Sequence, residues 1–325
     1  MPQPDINSVH IDAILTNISV AYMQNPASYI ADKVFPIIPV DKKSDKYFIY
    51  DKNDWLRDEA QRRAPGTESA GGGYSLSTDS YNCDKWALHK DVDDDTKANA
   101  DSPLDSFRDA TNWVTSRLRI RREKQFVADF IKTGVWGTDL AGVSGTPGGS
   151  QFKQWSDYSA SDPVTDIEDW KSAILSVTGL EANTLVLGYD VFKKLKNHPD
   201  LVDRIKYTDS RTITEDMIAS MFDIERVMVA KSVVATNKEG GTAAYGFTVG
   251  KSALLLHVAP EPGLQVASAG YTFAWKGVSG GMGETVGIKN FRLEEIASDR
   301  IEGEIAFDNK VVGSDLGVYA ATVVA

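Results

Sequence analysis

Residues 57–73, with the sequence RDEAQRRAPGTESAGGG, decide the fold of this chain. On either side, over residues 45–57 and 74–90, aromatic and β-branched residues alternate roughly with polar ones, which is typical of half-buried strands. The charged, glycine-rich stretch between them is far longer than a tight turn. The sequence therefore predicts a long two-stranded hairpin. Because an isolated hairpin is only marginally stable in water, this one requires a partner surface.

The residues before the hairpin predict an extended arm. Apolar side chains are spread over residues 6–34 and support at most a short helix, while Pro26, Pro36 and Pro39 interrupt regular structure. Such an arm cannot form a core alone. We expect it to lie on its own body or on a neighbouring subunit.

The clearest helix is predicted over residues 104–132. Ser102 is a candidate N-cap, Pro103 suits the first turn, and Asp105 suits the positive end of the helix dipole. Gly134 is the expected stop. A helix of roughly 29 residues, at about 1.5 Å per residue, would form a rod about 43 Å long.

The remaining chain mixes helices and strands, which predicts an α+β protein. Residues 137–150 are glycine-rich and predict a loop. The expected helices are Ile167–Val177, Asp190–Leu195 and Thr214–Met221. The expected strands are Thr184–Leu187, Arg226–Val234, Ala253–Val258, Tyr271–Trp275, Val286–Glu294, Glu302–Phe307 and Gly317–Val324.

Composition excludes several classes of protein. The 325 residues are 42% hydrophobic and 25% charged, values of a globular chain and not of a disordered one. The single cysteine, Cys83, permits no internal disulfide, and no apolar stretch is long enough for a transmembrane helix. A net charge of −11 argues against a free protein that gathers nucleic acid by bulk charge.

Three short motifs suggest chemistry but fail on spacing or context. Gly277–Gly281 matches G-x-S-x-G, yet the downstream histidine of a nucleophile elbow is missing. Gly246–Ser252 resembles a phosphate-binding loop with one residue too few, followed by a strand-like run. The acidic run at residues 91–95 lacks the glycine and glutamate of an EF-hand. A looser cation site of Asp91, Asp93 and Asp95, a solvated turn and an intersubunit salt-bridge partner stay open there.

Histidine and cysteine add no further chemistry. The four histidines lack the spacing of zinc ligands. Cys83 is expected to be an inert strand residue, because no basic shell surrounds it in the sequence. We therefore expect no enzyme, no catalytic residues, no cofactor and no metal.

The predicted long helix is locally basic. Residues 104–132 hold seven basic and four acidic side chains, with Arg117, Arg119, Arg121 and Arg122 close together. Successive arginines point in different directions on a helix, so one DNA-reading face is not expected. The alternatives are a solvated or ion-paired surface, contact with acidic surfaces of neighbouring subunits, and contact with packaged nucleic acid.

The order of elements is extended arm, long charged hairpin, long helix, mixed domain and strand-rich tail. This order resembles the major capsid proteins of tailed double-stranded DNA bacteriophages, whose fold is called the Hong Kong ninety-seven type. The resemblance is carried by Asn25–Pro36, Val40–Tyr50, Arg63–Asp95 and Leu104–Trp136. In order of elements it covers nearly the whole chain.

The resemblance implies an α+β capsid fold in five parts. They are an N-terminal arm (residues 1–35), a β-hairpin called the extended loop (36–95), a peripheral domain with a long spine helix (96–160), a mixed axial domain (161–265), and peripheral strands with a C-terminal return (266–325).

The resemblance also implies a structural function. The family builds icosahedral shells from hexamers and pentamers around the genome, so we expect this chain in the virion capsid, assembled in the host cytoplasm. Expected partners are further copies of the chain, a portal, a decoration protein and packaged DNA contacted non-specifically, without a membrane. Because the arm follows soon after Met1, a separate scaffolding protein is expected.

Two alternatives belong to other classes of protein. The shell of an encapsulin-like cellular compartment uses the same fold. A tail or decoration protein is the other alternative, although a long helix after a long hairpin argues against those β-dominated folds.

The hairpin tip and the basic helix supply the expected subunit contacts. Charged side chains would set the register between neighbours, although an exposed ion pair contributes only about 0–1 kcal/mol. The predicted interface residues are Arg57, Asp58, Glu59, Arg62, Arg63, Glu68, Arg117, Arg119, Arg121 and Arg122.

Overall fold

A six-stranded sheet, a five-stranded sheet and one long helix organise the chain. The computed structural model describes residues 23–100, 105–205, 213–263, 265–278 and 286–325. The helices are α1 (Lys52–Trp55), α2 (Asp94–Ala98), α3 (Ser106–Phe130), α4 (Pro163–Thr178), α5 (Tyr189–Leu195), α6 (Pro199–Ile205) and α7 (Glu215–Met221). The strands are β1 (Ile37–Val40), β2 (Ser44–Tyr50), β3 (Leu76–Asn82), β4 (Asp84–Asp93), β5 (Thr138–Val143), β6 (Gln151–Lys153), β7 (Thr184–Gly188), β8 (Arg226–Ala230), β9 (Val233–Ala235), β10 (Tyr245–Phe247), β11 (Ala253–Leu256), β12 (Gly270–Trp275), β13 (Gly287–Leu293), β14 (Ser298–Val311) and β15 (Gly317–Ala321).

The six-stranded sheet forms the main core, in the order β6-β5-β15-β11-β7-β8. Strands β7 and β11 are buried along their whole length, as apolar strands covered on both faces are. Helix α4 begins behind its Asp162 cap and places Ile167, Trp170 and Ile174 in the same core. Its apolar stripe, and not helix propensity, holds it against the sheet.

The loop predicted over residues 137–150 is wrong in its first half, where β5 forms. This strand lies between β15 and β6 and pairs parallel with both. Gly142 is required there, because a Cβ at that position would collide with the carbonyl oxygen of Thr322. The glycine therefore marks a close backbone approach inside a sheet and not a turn.

The second sheet is organised by β14, a 14-residue strand that pairs with β4, β12 and β13. The spine helix α3 packs across it, with Val114 and Leu118 in one apolar cluster with Ile305 and Phe307. Gly303 allows this approach, because a Cβ there would lie 2.5 Å from Val114 and 2.7 Å from Leu118.

The long helix is confirmed with different ends. Helix α3 has 25 residues, or about 37 Å at 1.5 Å per residue. Its N-cap is Asp105, whose side chain accepts hydrogen bonds from two backbone N–H groups of the first turn. Ser102 and Pro103 lie outside the described residues. The helix ends at Phe130, before Gly134.

The predicted hairpin is confirmed in β2 and β3, which pair antiparallel. The prediction of one continuous strand over residues 74–90 is wrong, because two strands form there. They divide at Cys83, beyond which β4 leaves the hairpin and forms ten residue pairs with β14. Trp55, predicted in the first strand, ends α1 instead, because Asp51 caps that turn.

Most of the other predicted elements lie within a few residues of observed ones. The predicted strand Arg226–Val234 divides into β8 and β9, and the short elements β1, β6, β10, α2 and α6 were not predicted. The six-stranded sheet uses residues 138–153 and 317–321 as well as 184–256. The domain boundaries therefore stay a prediction. Residues 6–22 of the predicted arm and residues 279–281 of the G-x-S-x-G match lie outside the described part. Within that part, the helices are too short or too polar to cross a bilayer.

Candidate assembly surfaces

The hairpin carries apolar side chains on a face that its own subunit leaves open. Phe48 on β2 is 60% exposed, and Trp55 and Tyr74 at the strand ends are 55% and 66% exposed. The ring centroids of Tyr50, Trp55 and Tyr74 lie 6.1 Å apart in each pair. We call the set the aromatic face: Phe48, Tyr50, Trp55, Leu56, Tyr74 and Leu76.

The opposite face of the hairpin rests on its own subunit. Tyr81 stacks on Phe273 with ring centroids 4.5 Å apart, and Tyr47 lies 5.4 Å from the same ring. Cys83 is buried beside them, and this burial raises the pKa of its thiol to about 12. The thiol therefore stays protonated at neutral pH, as an inert residue would. The hairpin is therefore anchored on this face, and beyond β2 Lys52 also forms an ion pair with Asp315 of the body, while the aromatic face stays open.

The predicted contact residues of the tip are all exposed to solvent: Arg57, Asp58, Glu59, Arg62, Arg63 and Glu68. Arg57 forms an ion pair of 3.2 Å with Glu59. Arg63 donates a hydrogen bond to the carbonyl oxygen of Thr67. Both contacts lie within the tip, so they shape it and keep charges of both signs at the surface.

The predicted arginines of the spine helix lie in different environments. Arg117 is exposed, and its guanidinium lies 5.2 Å from the centroid of the Trp113 ring. Arg121 is half-buried and stacks 3.7 Å from the centroid of Trp86 on β4. Arg119 is half-buried as well. Arg117 and Arg121 are thus held in place by aromatic rings.

A buried carboxylate fastens the end of the arm. Glu123 of α3 is fully buried and accepts hydrogen bonds of 2.9–3.2 Å from the backbone N–H groups of Ile30 and Ala31. It also accepts one of 3.0 Å from the hydroxyl of Ser232. Burial raises the pKa of Glu123, although the hydrogen bonds to the carboxylate oppose this shift. One side chain therefore joins the arm, the spine helix and the turn between β8 and β9.

Two arginines hold the same segment, residues 29–35, which we call the arm root. Arg122 of α3 is buried and forms an ion pair of 2.6 Å with Asp32. Arg226 of β8 donates to the carbonyl oxygens of Lys33 and Val34 at 3.2 and 3.0 Å. The arm root therefore lies on its own body, which was one of the two places expected.

Sequence reasoning did not find this role of Glu123 and Arg226. A signal was present in position, because Arg122 and Glu123 interrupt the apolar stripe between Leu118 and Phe126. A charged side chain on a buried stripe requires a partner, and here the partners lie far away in the sequence.

Two curated proteins are similar to this chain in sequence. No family model matches the chain. The major capsid protein of Burkholderia phage BcepMu is 26% identical over 317 residues, covering 94% of this chain and 94% of that protein. The major capsid protein of Pseudomonas phage JBD67 is 26% identical over 229 residues, covering 68% and 69%.

Solved structures share the fold at lower identity. A phage-related protein from Bordetella bronchiseptica has a TM-score of 0.69 at 22% identity, covering 92% of this chain and 94% of that one. The capsid of cyanophage P-SCSP1u has a TM-score of 0.61 at 13% identity, covering 97% and 93%. This chain has the fold of the tailed-phage major capsid proteins. An encapsulin from Synechococcus elongatus has a TM-score of 0.57 at 13% identity, covering 100% and 98%.

Within this capsid fold, the acidic run at residues 91–95 is used inside the subunit. Asp91 forms a bidentate pair with Arg300 at 2.7 and 2.8 Å, and Asp94 does the same with Arg292 at 2.7 and 2.6 Å. Asp93 caps α2. Among the described residues, no acidic, histidine or cysteine cluster could hold a metal ion. The run ties the end of β4 to β14 and the start of α2 to β13.

One serine–histidine–aspartate set lies in the same fold, where the serine hydroxyl also bonds to the backbone. The N–H of Asp200 donates to Nδ1 of His198 at 3.3 Å, and a carboxylate oxygen of Asp200 lies 3.4 Å from the same nitrogen. Nε2 lies 2.9 Å from Oγ of Ser161, and that hydroxyl donates to the carbonyl oxygen of Asp157 at 2.6 Å. Burial lowers the pKa of His198. The set closes a turn of the capsid fold.

Proposed function

We propose that this chain is the major capsid protein of a tailed phage and assembles, as hexamers and pentamers, into an icosahedral head around double-stranded DNA. The observation that carries the proposal is the hairpin. It is anchored on one face and carries an aromatic face that its own subunit leaves exposed. Likeness to the capsid protein of phage BcepMu over 94% of the chain supports the same structural role.

Burial of the aromatic face would make assembly favourable. A large apolar side chain contributes about 1.5–3 kcal/mol when it leaves water for a packed interface. Because the contact forms only between subunits, this contribution stabilises the shell and not the free subunit. The mixed charges of the tip then disfavour wrong registers. Repetition over many copies turns weak contacts into a stable whole.

Electron microscopy of the purified chain, alone and with a scaffolding protein, tests the proposal. We expect closed shells. Deletion of residues 58–73 should abolish or derail assembly and leave the circular dichroism spectrum of the subunit unchanged. A chain that stays monomeric under every condition would contradict the proposal.

A matched pair of substitutions separates the aromatic face from surface hydrophobicity in general. Tyr74→Ser removes a ring that is 66% exposed within the aromatic face, and Tyr245→Ser removes one that is 73% exposed on β10. We expect the first to slow or prevent shell formation and the second to leave it intact. Equal losses in light scattering and micrographs would show that the aromatic face has no special role.

Partners and location belong to the same proposal. They are a portal, a scaffolding protein, a decoration protein and packaged DNA, with the virion capsid as location and the host cytoplasm as the place of assembly. The five-part division of the chain is proposed with it, together with Arg119 and the six interface residues predicted in the hairpin tip. Arg122, which the sequence also placed at the interface, is instead buried against Asp32 of its own subunit. Proteomics of purified virions tests the partners.

A shell protein of a cellular compartment is the second candidate. The likeness to the Synechococcus encapsulin favours it, although at 13% identity that likeness concerns the fold alone. The neighbouring genes decide between the two, because a portal and a terminase indicate a phage, whereas a cargo enzyme indicates a compartment.

A further inference from the structure

A row of cations follows the boundary between the spine helix and β4. Trp113 of the helix lies below two of them, Lys90 of β4 at 5.9 Å and Arg117 at 5.2 Å from the ring centroid. One turn further, Arg121 stacks 3.7 Å from the centroid of Trp86. We call this set the basic seam: Trp86, Lys90, Trp113, Arg117, Arg121 and Lys124.

The three helix cations of the seam share one side of the helix. Arg117, Arg121 and Lys124 are spaced by four and three residues, which places them on one face. At about 1.5 Å per residue they extend over roughly 10 Å. Arg117 and Lys124 are exposed, while Lys90 and Arg121 are half-buried. The face therefore presents several positive charges in a line.

The charges of the seam are not neutralised within the described part of the subunit. The salt bridges found there include none that involves Lys90, Arg117, Arg121 or Lys124. The polar partner of Arg121 is the neutral amide of Gln125, at 2.7 Å. The chain nevertheless carries a net charge of −11. This row of positive charge is therefore available to an anionic partner.

The tryptophan rings limit which kind of anionic partner could bind the basic seam. Both rings already have a cation on one face, so they offer little surface for stacking with nucleic acid bases. A protein partner would need carboxylates at fixed positions to meet the separate cations. A DNA duplex carries about one negative charge per 1.7 Å of its axis, so it meets the row in any register.

We infer that the basic seam contacts the phosphate backbone of double-stranded DNA without reading its sequence. The inference rests on the proposed shell function, which brings DNA within reach of the subunit. The inference assigns DNA contact to one face of the spine helix only. Arg117 and Arg121 lie on that face, whereas Arg122 lies on another and holds the arm root.

Titration of the full chain with a fluorescent DNA duplex tests the inference. Anisotropy is recorded over a range of sodium chloride concentrations for the wild type, for the seam variant Arg117→Gln/Arg121→Gln/Lys124→Gln, and for a control. The control, Lys193→Gln/Lys194→Gln/Lys196→Gln, removes the same charge from α5 and the residue that follows it. Circular dichroism and tryptophan fluorescence confirm that each variant is folded.

We expect the seam variant to bind the duplex at least about tenfold more weakly at low salt and the control to bind like the wild type. The slope of log K against log salt should fall by about 2–3, since each lost phosphate contact removes about 0.9. Equal weakening in both variants would overturn the inference. Wild-type binding to poly-glutamate as tight as to the duplex would also overturn it, in favour of an acidic protein.

Shell formation without DNA, scored on the same samples, keeps the two proposals apart. Seam-variant shells that no longer bind the duplex support the inference. A wild type that binds the duplex through the seam but never forms shells supports the seam and refutes the shell function. A seam variant that stops forming shells while its duplex binding is unchanged makes the seam a subunit contact and overturns the inference.

Discussion

The hairpin and the six-stranded sheet bury their apolar residues in opposite ways. Strands β7 and β11 are fully buried inside the subunit. Strands β2 and β3 expose one apolar face and rest the other on the body. Burial inside a subunit stabilises that subunit at any concentration, whereas burial of an exposed face requires a second molecule. Substitutions in the two regions should therefore change different measurements.

The largest effect on the isolated subunit is expected in the sheet. Leu254→Ala removes a fully buried side chain from β11 and leaves a cavity. We expect the free energy of unfolding, measured by urea denaturation, to fall by about 2–5 kcal/mol. Val202→Ala on the exposed side of α6 is the control and should change it by less than about 0.5 kcal/mol. Similar values for both would mean that this sheet is not the main core.

A smaller effect on the stability of the subunit is expected at the arm root, which is held by α3 and β8. Glu123→Gln keeps the size of the side chain but places an amide group among the N–H donors of Ile30 and Ala31. We expect a loss of about 1–3 kcal/mol in unfolding free energy. Hydrogen exchange at residues 30–35 should become faster, and the exposed substitution Lys132→Gln should leave it unchanged. Unchanged exchange in Glu123→Gln would show that the carboxylate does not hold the arm root.

A pH-dependent effect is expected from Asp166 inside the body. Burial raises the pKa of this carboxyl from 3.8 to about 6, although Trp155 donates a hydrogen bond to it at 2.8 Å. The folded state therefore binds more protons than the unfolded state, so stability from this group rises as pH falls from about 7 toward 4. Asp166→Asn should be more stable than wild type by about 1 kcal/mol at pH 7, since half-exposure reduces the effect, and equal to it near pH 4.

A control at the same helix completes this test. Glu168→Gln removes one exposed charge from α4 that does not act on Asp166, and it should leave the pH profile of unfolding like that of the wild type. A difference between wild type and Asp166→Asn that does not shrink toward pH 4 would contradict the assignment.

The smallest effect on the subunit is expected in the hairpin. Trp55→Ser removes an exposed ring from the aromatic face and should change the unfolding free energy by less than about 0.5 kcal/mol. Its effect should appear instead in light scattering during shell formation. A Trp55→Ser subunit that unfolds easily would show that the hairpin belongs to the subunit core.

The sequence predicts those features that depend on local patterns. The spine helix follows from its start and stop signals, although its observed N-cap is Asp105 and not Ser102. The hairpin follows from its alternation and its long tip. Strand β5 could not be predicted, because the glycines of residues 137–150 signal a loop locally and only the distant Thr322 explains Gly142. Contacts that join residues far apart in the chain have no local signature.

The same limit applies to the candidate surfaces. The sequence identifies Arg117, Arg119, Arg121 and Arg122 as one basic group, but the structure gives them different roles. Arg122 is turned inward by Asp32, which lies 90 residues earlier in the chain. Arg121 is half-buried and stacks on Trp86 of β4. Periodicity places residues on faces of a helix, but the elements packed against each face decide what each residue does.

The long pairing of β4 with β14 has a mechanical consequence. The hairpin continues directly into β4, and the ten residue pairs from Asp84–Phe307 to Asp93–Ser298 lie in one ladder. A pull on the hairpin along the axis of β4 loads all ten pairs in shear at once, whereas a pull across that axis would open them one at a time. A hairpin under tension along this axis can therefore transmit force into the body of its subunit without detaching from it.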